Sequence, residues 1–280
     1  MILLDNNQII LASLFQSMKY SNELDEDFIR HLVLNTYRMY RNKFSNTYGE
    51  LVICHDSGNC WRKDFFPEYK KNRKKQQDKS KFNWNDIHSA MDSIRDEIKE
   101  VFPYKDIRIP RTEADDIIAI LCKHYHKVEK IVIISSDKDF QQLQFFPNIK
   151  QYSPIQKKFL ACENPKKFLL DHILRGDSSD GIPNILSDDD CHVSDEKRQK
   201  RLTKKVMEEL YIEVNDGTIG DKRENWERNK NLVDLSCIPE EYEEKIIEAY
   251  NAEHNTKRDK LLNYFIEKKL KNLMEHIGEF

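Results

Sequence analysis

Short, uninterrupted runs of apolar residues alternate along the first half of the chain with stretches whose apolar residues recur every three or four positions. Such runs occupy residues 2–4, 51–54 and 131–134, and a weaker one covers residues 107–109. Continuous apolar runs of this length are typical of strands buried on both faces. Their alternation with helical patterns predicts an α/β fold with a central, mostly parallel sheet flanked by helices.

Apolar residues spaced three or four positions apart predict the helices. One helix is expected after Asp25, a good N-cap, and a second over residues 84–101, ending before Pro103. A third is expected to begin at Thr112, with Thr112 as its N-cap. From Pro165 onward the pattern is helical, with helices expected over residues 197–210, 239–252 and 257–276. We therefore predict an α/β core over residues 1–160 and a helical region over residues 161–280.

Composition narrows the class of protein. The 280 residues include 46 Lys+Arg and 49 Asp+Glu, a formal charge of −3, yet 34% of residues are charged, against roughly 25% in an ordinary globular protein. No run approaches the ~18 apolar residues of a membrane span, so we expect no membrane association. The six cysteines include no C-x-x-C pair, which favours free thiols in the cytoplasm over zinc or disulfides.

Acidic residues recur where the predicted strands end and where one helix begins: Asp5, Asp56, Glu113, Asp115, Asp116, Asp137 and Asp139. One such acid alone is usually a cap or turn residue. In a parallel sheet, however, strand ends share one edge, and several carboxylates packed there repel one another unless a cation neutralises them. Oxygen ligands without His or Cys point to Mg²⁺ or Mn²⁺. Two such ions about 4 Å apart can activate a water and stabilise the leaving oxygen of a phosphodiester.

Two segments are strongly basic. Residues 62–81 carry nine basic and three acidic residues, interleaved with Phe65, Phe66 and Tyr69, and residues 197–205 carry six basic residues and no acid. Such runs are commonly solvated helix faces. Beside a cluster of acids, they can instead hold a polyanion, with the aromatic rings stacking on unpaired bases. The candidate nucleic-acid contacts are Arg62, Lys63, Lys70, Lys71, Arg73, Lys74, Lys197, Arg198, Lys200, Arg201 and Lys204.

Seven motifs, in this order, resemble those of the 5′-nuclease family, which includes the flap endonucleases, the 5′-nuclease domain of bacterial DNA polymerase I and the ribonuclease H branch of T-even-type bacteriophages. They are L-L-D at 3–5, H-D at 55–56, W-R-K-D-F at 61–65, Y-K-K-N-R at 69–73, E-A-D-D at 113–116, I-S-S-D-K-D at 134–139 and G-D-S-S-D at 176–180. The resemblance covers nearly the whole chain and implies the PIN-like 5′-nuclease fold, with a helical arch at about residues 65–95.

The resemblance also implies roles for individual residues. The acids around the first of two Mg²⁺ ions would be Asp5, Asp56, Glu113, Asp115 and Asp116. Asp137 would lie between the two ions, and Asp139, Asp177 and Asp180 would surround the second. Lys70 and Arg73 would act on the scissile phosphate, and together with Asp137 they form the candidate catalytic set.

The implied activity is that of a 5′-to-3′ exonuclease and flap endonuclease that removes RNA primers and adjacent DNA during lagging-strand replication. Mn²⁺ would substitute for Mg²⁺. The implied partners are branched or primed duplex DNA, RNA/DNA hybrid, a single-strand-binding protein and a sliding clamp, with the protein itself a cytoplasmic monomer. One departure is the hairpin after Asp180, because residues 184–187 lack the glycine that follows in the family. A potassium site there is left open, and residues 197–205 are expected to carry more of the duplex contact.

Two other readings fit part of the pattern. A PIN-like ribonuclease would share the sheet and its acids but act on single-stranded RNA. A nucleic-acid-binding replication protein without catalytic activity would share the basic segments. The G-D-S-S-D motif and the arch-like basic segment argue against the first, and the near-complete set of acids argues against the second.

Overall fold

The computed structural model describes residues 1–18, 24–80, 82–194, 196–254 and 257–280. Lys81, part of the predicted basic segment, lies outside them. The chain forms two units, the first made of residues 1–58, 83–161 and 241–280 and the second of residues 59–82 and 162–240. One boundary between the two units falls after residue 161, close to the predicted boundary at residue 160. The structure differs from the prediction in grouping residues 59–82 with the second unit and residues 241–280 with the first.

The first unit contains a six-stranded sheet. Its strands are β1 (Ile2–Asp5), β2 (Leu51–Cys54), β3 (Lys105–Ile107), β4 (Ile131–Ile134), β5 (Ile149–Ser153) and β6 (Lys158–Leu160). They run in the order β3-β2-β1-β4-β5-β6, all parallel except β6, which pairs antiparallel with β5. The mostly parallel α/β fold is confirmed. The third strand starts two residues before its predicted position, and β5 and β6 were not predicted.

The described residues form twelve α-helices: α1 (Asn6–Ser17), α2 (Glu26–Tyr48), α3 (Arg62–Phe65), α4 (Lys71–Asp78), α5 (Trp84–Val101), α6 (Ala114–Tyr125), α7 (Pro165–Arg175), α8 (Lys204–Asn215), α9 (Arg223–Val233), α10 (Glu240–Asn251), α11 (Leu261–Glu267) and α12 (Lys271–Met274). Asp25 caps α2 as predicted, because its carboxylate accepts a hydrogen bond from the backbone N–H of Phe28. Helix α1, which follows β1 directly, was not predicted.

The register of the strands aligns the acid-bearing ends of the sheet. Asp5 pairs with Cys54 across β1 and β2, and Leu4 pairs with Ile134 across β1 and β4. The residues that follow these three strands therefore leave the sheet at one edge. Strands β1, β2 and β4 are fully buried, as their continuous apolar sequences predict.

Two predicted segments need correction in the first unit. Helix α5 buries its apolar face in the hydrophobic core, so residues 84–95 belong to the core and not to an arch. The helix predicted over residues 257–276 is broken into α11 and α12 because Lys269 adopts a left-handed backbone conformation, with φ of 54°. Phe280 is fully buried in the same core, where its ring packs edge-on against Phe102.

The second unit is mainly helical and irregular. The helix predicted over residues 197–210 begins only at Lys204, with Thr203 accepting a hydrogen bond from the N–H of Val206 as its N-cap. Residues 197–203 have no regular structure because their backbone and side chains are bonded to the preceding loop, as at Lys200, whose N–H donates to the hydroxyl of Ser187. The predicted helix at residues 239–252 is confirmed as α10, which belongs to the first unit from residue 241 onward.

Candidate metal centre

Asp5, Asp56 and Asp137 meet at the aligned edge of the sheet in the first unit. Asp5 is buried, and this burial, together with the negative charges of Asp56 and Asp137, raises the pKa of the Asp5 carboxyl to about 7. Two hydrogen bonds to Asp5 lower its pKa, but by less than burial and the neighbouring charges raise it. One comes from the hydroxyl of Ser135 at 2.9 Å and the other from the N–H of Gln8. The carboxylates are thus close enough to repel one another.

Asp56 is held in place through both of its carboxylate oxygens. One oxygen accepts a hydrogen bond of 2.7 Å from the backbone N–H of Ala114, at the start of α6. The other accepts a hydrogen bond from the side-chain amide of Asn7, in α1. The carboxylate that follows β2 is therefore fixed against the two helices that begin at the same edge.

Two of the three acids at the start of α6 take part in capping that helix. Glu113 is the N-cap residue, and Asp116 accepts a hydrogen bond of 3.0 Å from the Glu113 N–H. The predicted cap at Thr112 is therefore wrong, because the Thr112 hydroxyl instead donates to the carbonyl of Ile109. Glu113 and Asp116 are buried, whereas Asp115 is half-buried. The role of these three acids as metal ligands stays a prediction.

The I-S-S-D-K-D motif joins β4 to the centre through its first serine. The Ser135 hydroxyl donates to Asp5 and accepts a hydrogen bond of 3.1 Å from the N–H of Asp137. Gln151, fully buried in β5, donates to the carbonyls of Ser135 and Asp137 at 3.0 and 2.6 Å. Asp137 in turn caps the next turn by accepting a hydrogen bond from the N–H of Asp139. The loop after β4 is therefore rigidly tied to both neighbouring strands.

Three consecutive amide side chains at the start of α1 support the centre and were missed from sequence. Asn6 is fully buried and bonds His55 across 3.1 Å, Asn7 bonds Asp56, and Gln8 accepts a hydrogen bond of 2.7 Å from the N–H of Ser136. Each amide therefore reaches a different element around Asp5. The available signal was the run of three amides directly after a strand-ending aspartate.

Asp177 and Asp180 belong to the second unit, where they lie in a tight turn after α7. Asp177 is buried and accepts hydrogen bonds from the N–H and hydroxyl of Ser179 at 2.8 and 2.6 Å. Only glycine fits at Gly176, since a Cβ there would lie 2.3 Å from the carbonyl oxygen of Pro183. Asp139 lies in the other unit, and the shared ion predicted for these three acids stays a prediction.

Asp180 contacts the base of the predicted arch. Its carboxylate lies 3.6 Å from the ammonium group of Lys70, forms an ion pair with Arg73 and accepts a hydrogen bond from the hydroxyl of Tyr69. Asn72 adds a hydrogen bond of 2.8 Å from its side-chain amide to the carbonyl of Ser178. The two predicted catalytic cations are thus held side by side on the acidic turn.

The structure corrects part of the predicted nucleic-acid surface in residues 62–81. Arg62 is 2% exposed, and its guanidinium donates to the carbonyl of Leu232 at 3.0 Å, so this residue stabilises the second unit and is not available to a ligand. Phe66 and Tyr69 are buried as well, which leaves Phe65, 49% exposed, as the ring available for stacking. Counting the charges along this segment does not reveal that Arg62, Phe66 and Tyr69 are buried.

The remaining predicted contacts are on the surface. Lys63, Lys71, Lys74, Arg198, Lys200, Arg201 and Lys204 are exposed. Lys197 is also exposed, but its ammonium group already pairs with Asp190 at 2.8 Å and with Asp188 at 3.4 Å. The role of Lys197 in nucleic-acid binding stays a prediction. In the part of the chain that the structure describes, no helix is long and apolar enough to cross a membrane.

Comparison with known proteins identifies related families along the whole chain. Residues 1–168 match the family profile described as the N-terminal, resolvase-like domain of 5′-3′ exonucleases, and residues 165–280 match the profile described as the C-terminal domain of phage T4 RNase H. The chain is 30% identical to the ribonuclease H of Enterobacteria phage T4, over 99% of this chain and 95% of that protein. It is 32% identical to the flap endonuclease Xni of Shewanella pealeana over 45% of this chain and 48% of that protein.

Solved structures with the same fold include two of bacteriophage T5. One is a flap endonuclease variant in a pseudo-enzyme–product complex with DNA and metal ions, with a TM-score of 0.63 and 16% identity over 100% of this chain and 99% of that one. The other was co-crystallised with metal ions, with a TM-score of 0.62 and 16% identity over 99% and 98% of the two chains. At this identity the likeness concerns the fold.

Proposed function

This chain belongs to the 5′-3′ exonuclease family, and we propose that it is a metal-dependent nuclease that uses two Mg²⁺ ions to hydrolyse phosphodiesters near the 5′ end of flapped, nicked or RNA-primed duplexes. The observation that supports the proposal best is the convergence of Asp5, Asp56 and Asp137 at one buried edge, where burial and then the neighbouring negative charges raise the pKa of Asp5 to about 7. Carboxylates are not gathered in this way for stability, since their mutual repulsion opposes folding.

The donor set fits a hard divalent cation. Carboxylate oxygens form the centre around Asp5, and the imidazole of His55, which precedes Asp56, is already engaged by Asn6 and by Asp106 at 2.5 Å. A bound Mg²⁺ or Mn²⁺ ion neutralises such carboxylates, activates a water for attack on phosphorus and stabilises the leaving oxygen. We assign Asp5, Asp56, Glu113, Asp115, Asp116 and Asp137 to the first ion, and Asp137, Asp139, Asp177 and Asp180 to the second.

The protein's own groups hold the carboxylates in position before an ion arrives. The Ser135 hydroxyl donates to one oxygen of Asp5. The side-chain amide of Asn7 donates to one oxygen of Asp56, and the backbone N–H of Ala114, at the start of α6, donates to the other. These donors leave other lone pairs of the carboxylates for a cation. Such preorganisation means that little reorganisation is needed when the ion and the substrate bind.

Lys70 and Arg73 are proposed to neutralise charge on the scissile phosphate. Their pairing with Asp180 keeps both cations together at the base of α4, ready to exchange the carboxylate for a phosphate. A guanidinium and an ammonium group suit this role because phosphate oxygens accept several charge-assisted hydrogen bonds.

The biological setting follows from the family. The proposed role is removal of RNA primers and adjacent DNA during lagging-strand replication, with branched or primed duplex DNA and RNA/DNA hybrid as substrates. We further propose a monomer that works in the cytoplasm beside a single-strand-binding protein and a sliding clamp.

Substrate preference tests this proposal. We expect Mg²⁺-dependent release of short 5′ products from a 5′-flap DNA and from an RNA-primed duplex, and no cleavage of an unstructured RNA. The measurement is a time course with 5′-labelled substrates of equal length. Comparable cleavage of the unstructured RNA would favour a PIN-like ribonuclease. An absence of cleavage with both Mg²⁺ and Mn²⁺ would favour a binding protein.

Truncating the paired cations tests their assignment. We expect Lys70→Ala and Arg73→Ala each to lower the single-turnover cleavage rate about a hundredfold, because each removes positive charge from the transition state. Mn²⁺ binding by titration should not be weakened, since neither residue supplies a ligand and each is a cation paired with the carboxylate of Asp180. Lys79→Ala is the matched control, an exposed lysine of the same basic segment without an assigned role. Rates within threefold of wild type for both variants would contradict the assignment.

A further inference from the structure

A buried histidine in the second unit faces one of the carboxylates proposed to bind the second ion. Nε2 of His172 lies 3.6 Å from a carboxylate oxygen of Asp177, and the two residues are only 6% and 5% exposed. His172 was not among the residues predicted to bind an ion. The folded chain therefore places a nitrogen donor beside a proposed ligand that offers oxygen.

The distance between these two atoms is too long for a hydrogen bond and close to that between two ligands of one ion. An N–H···O hydrogen bond spans roughly 2.7 to 3.2 Å, whereas the imidazole and the carboxylate of Asp177 are 3.6 Å apart. Two ligand atoms about 2.1 Å from one ion lie about 3.0 to 3.4 Å apart when the bond angle at the ion is about 90° to 110°. The wider of these separations differs little from the one observed.

The two oxygens of Asp177 have different neighbours. One oxygen accepts the hydrogen bonds from the N–H and the hydroxyl of Ser179, and the other is the oxygen that faces His172. Two backbone hydrogen bonds between Asp177 and Ile182, at 2.9 and 2.7 Å, fix the turn that carries the carboxylate. The orientation of the carboxylate toward the imidazole is thus set by the turn itself.

The imidazole is held in place by α7 and by the residues around the end of that helix. The ring of His172 stacks on Phe168, one helical turn earlier, with ring centroids 5.8 Å apart and planes 13° from parallel. Its carbonyl accepts a hydrogen bond from the N–H of Gly176, and the side chain of Asn229 donates to the carbonyl of Ile173 at 2.8 Å. The face of the ring and the backbone make these contacts, which fix the imidazole opposite the carboxylate.

We propose that His172 is a ligand of the second ion together with Asp177, and that its nitrogen makes this site prefer transition-metal ions such as Mn²⁺ to Mg²⁺. The inference rests on the proposed function. Mg²⁺ is bound through oxygen atoms, whereas imidazole suits first-row transition metals. Burial of both donors supports an ion between them, because a buried carboxylate is costly unless it is paired or coordinates a metal. The two ions then differ in chemistry, since carboxylate oxygens form the centre around Asp5.

Pulsed electron paramagnetic resonance of the full chain with Mn²⁺ alone tests this ligand without any cleavage. At saturating Mn²⁺ we expect the electron spin echo to be modulated by a coordinated nitrogen nucleus, and the modulation should change when the histidines carry the heavier nitrogen isotope. His172→Gln should lose the signal, and His88→Gln, which replaces an exposed histidine of α5, should keep it. Absence of a histidine nitrogen in the wild type, or its persistence in His172→Gln, would overturn the proposal.

Competition between the two kinds of ion measures the selectivity. Free Mn²⁺ is quantified from its continuous-wave spectrum while Mg²⁺ is added to the Mn²⁺-loaded protein. We expect His172→Gln to weaken the binding of one Mn²⁺ ion at least about tenfold and to change the Mg²⁺ affinity less than about threefold. Equal losses for Mn²⁺ and Mg²⁺ would show that His172 only supports the turn around Asp177, and would contradict the proposal.

A second variant guards against misfolding. His172→Phe keeps a ring to stack on Phe168 but offers no ligand atom. If the thermal midpoint of His172→Gln in EDTA falls well below that of the wild type, His172→Phe takes its place and must lose the nitrogen signal. Persistence of the signal in a folded His172→Phe protein would equally overturn the proposal.

Failure of this ligand and failure of the nuclease proposal are distinguishable. Cleavage of a 5′-flap DNA by the wild type, without a histidine nitrogen on bound Mn²⁺, would reject His172 as a ligand and leave the nuclease proposal intact. A nitrogen signal that is lost in His172→Gln, without wild-type cleavage in Mg²⁺ or Mn²⁺, would keep the ligand and reject the nuclease proposal.

Discussion

Replacing Asp137 by asparagine is expected to reduce Mg²⁺-dependent cleavage of a 5′-flap DNA at least about a thousandfold. Asparagine preserves the volume of the side chain and the oxygen that accepts a hydrogen bond from the Asp139 N–H at 2.9 Å. It removes the negative charge that the two proposed ions would share. The measurement is the single-turnover rate of 5′-product release, with circular dichroism to verify the fold.

A matched control separates the site from general charge effects. Asp221→Asn removes the same charge from a side chain that is 94% exposed, and its rate should stay within twofold of wild type. Substantial activity in Asp137→Asn, with a normal fold, would remove Asp137 from the metal set.

Replacing Asp5 by asparagine is expected to abolish cleavage and, at the same time, to stabilise the metal-free protein at pH 8. The pKa of Asp5 rises from 3.8 to about 7 on folding, mainly because the side chain is buried. An acid with a raised folded pKa costs stability progressively as pH rises from about 4 to about 7, and the full cost remains above that range. Three pKa units correspond to about 4 kcal/mol, an upper value for the gain in Asp5→Asn.

Thermal unfolding of both proteins in EDTA between pH 5 and pH 8 measures this effect. Burial lowers the pKa values of His31, His126 and His254, which makes stability rise with pH over part of the same range, so the informative quantity is the difference between the two proteins. The advantage of Asp5→Asn should grow with pH and level off above about 7. Mg²⁺ should stabilise the wild type more at pH 8 than at pH 5 and stabilise the variant little. A pH-independent difference would contradict the raised pKa of Asp5.

The sequence predicted strands β1 to β4 and missed β5 and β6, and the difference has a physical reason. Strands β1, β2 and β4 are buried on both faces, so their sequences are continuously apolar. In β5, Lys150 is exposed and the buried Gln151 is polar because it holds the loop after β4. A strand whose polar residues have distant partners leaves no local apolar pattern.

The convergence of Asp5, Asp56 and Asp137 could be predicted because strand ends in a parallel sheet share an edge. The groups that orient them could not. Asn6, Asn7 and Gln8 bond to residues more than 40 positions away, and Arg62 is buried against a carbonyl 170 positions away. Only the folded chain brings these partners together.

The account rests on the binding of divalent cations by the carboxylates around Asp5. The most direct measurement is anomalous scattering from crystals of the wild-type protein soaked in Mn²⁺. We predict anomalous peaks among Asp5, Asp56 and Asp137, with Mn²⁺–oxygen distances of about 2.1 Å to at least one carboxylate. A structure with fully occupied Mn²⁺ sites elsewhere and no peak beside these three residues would contradict the account.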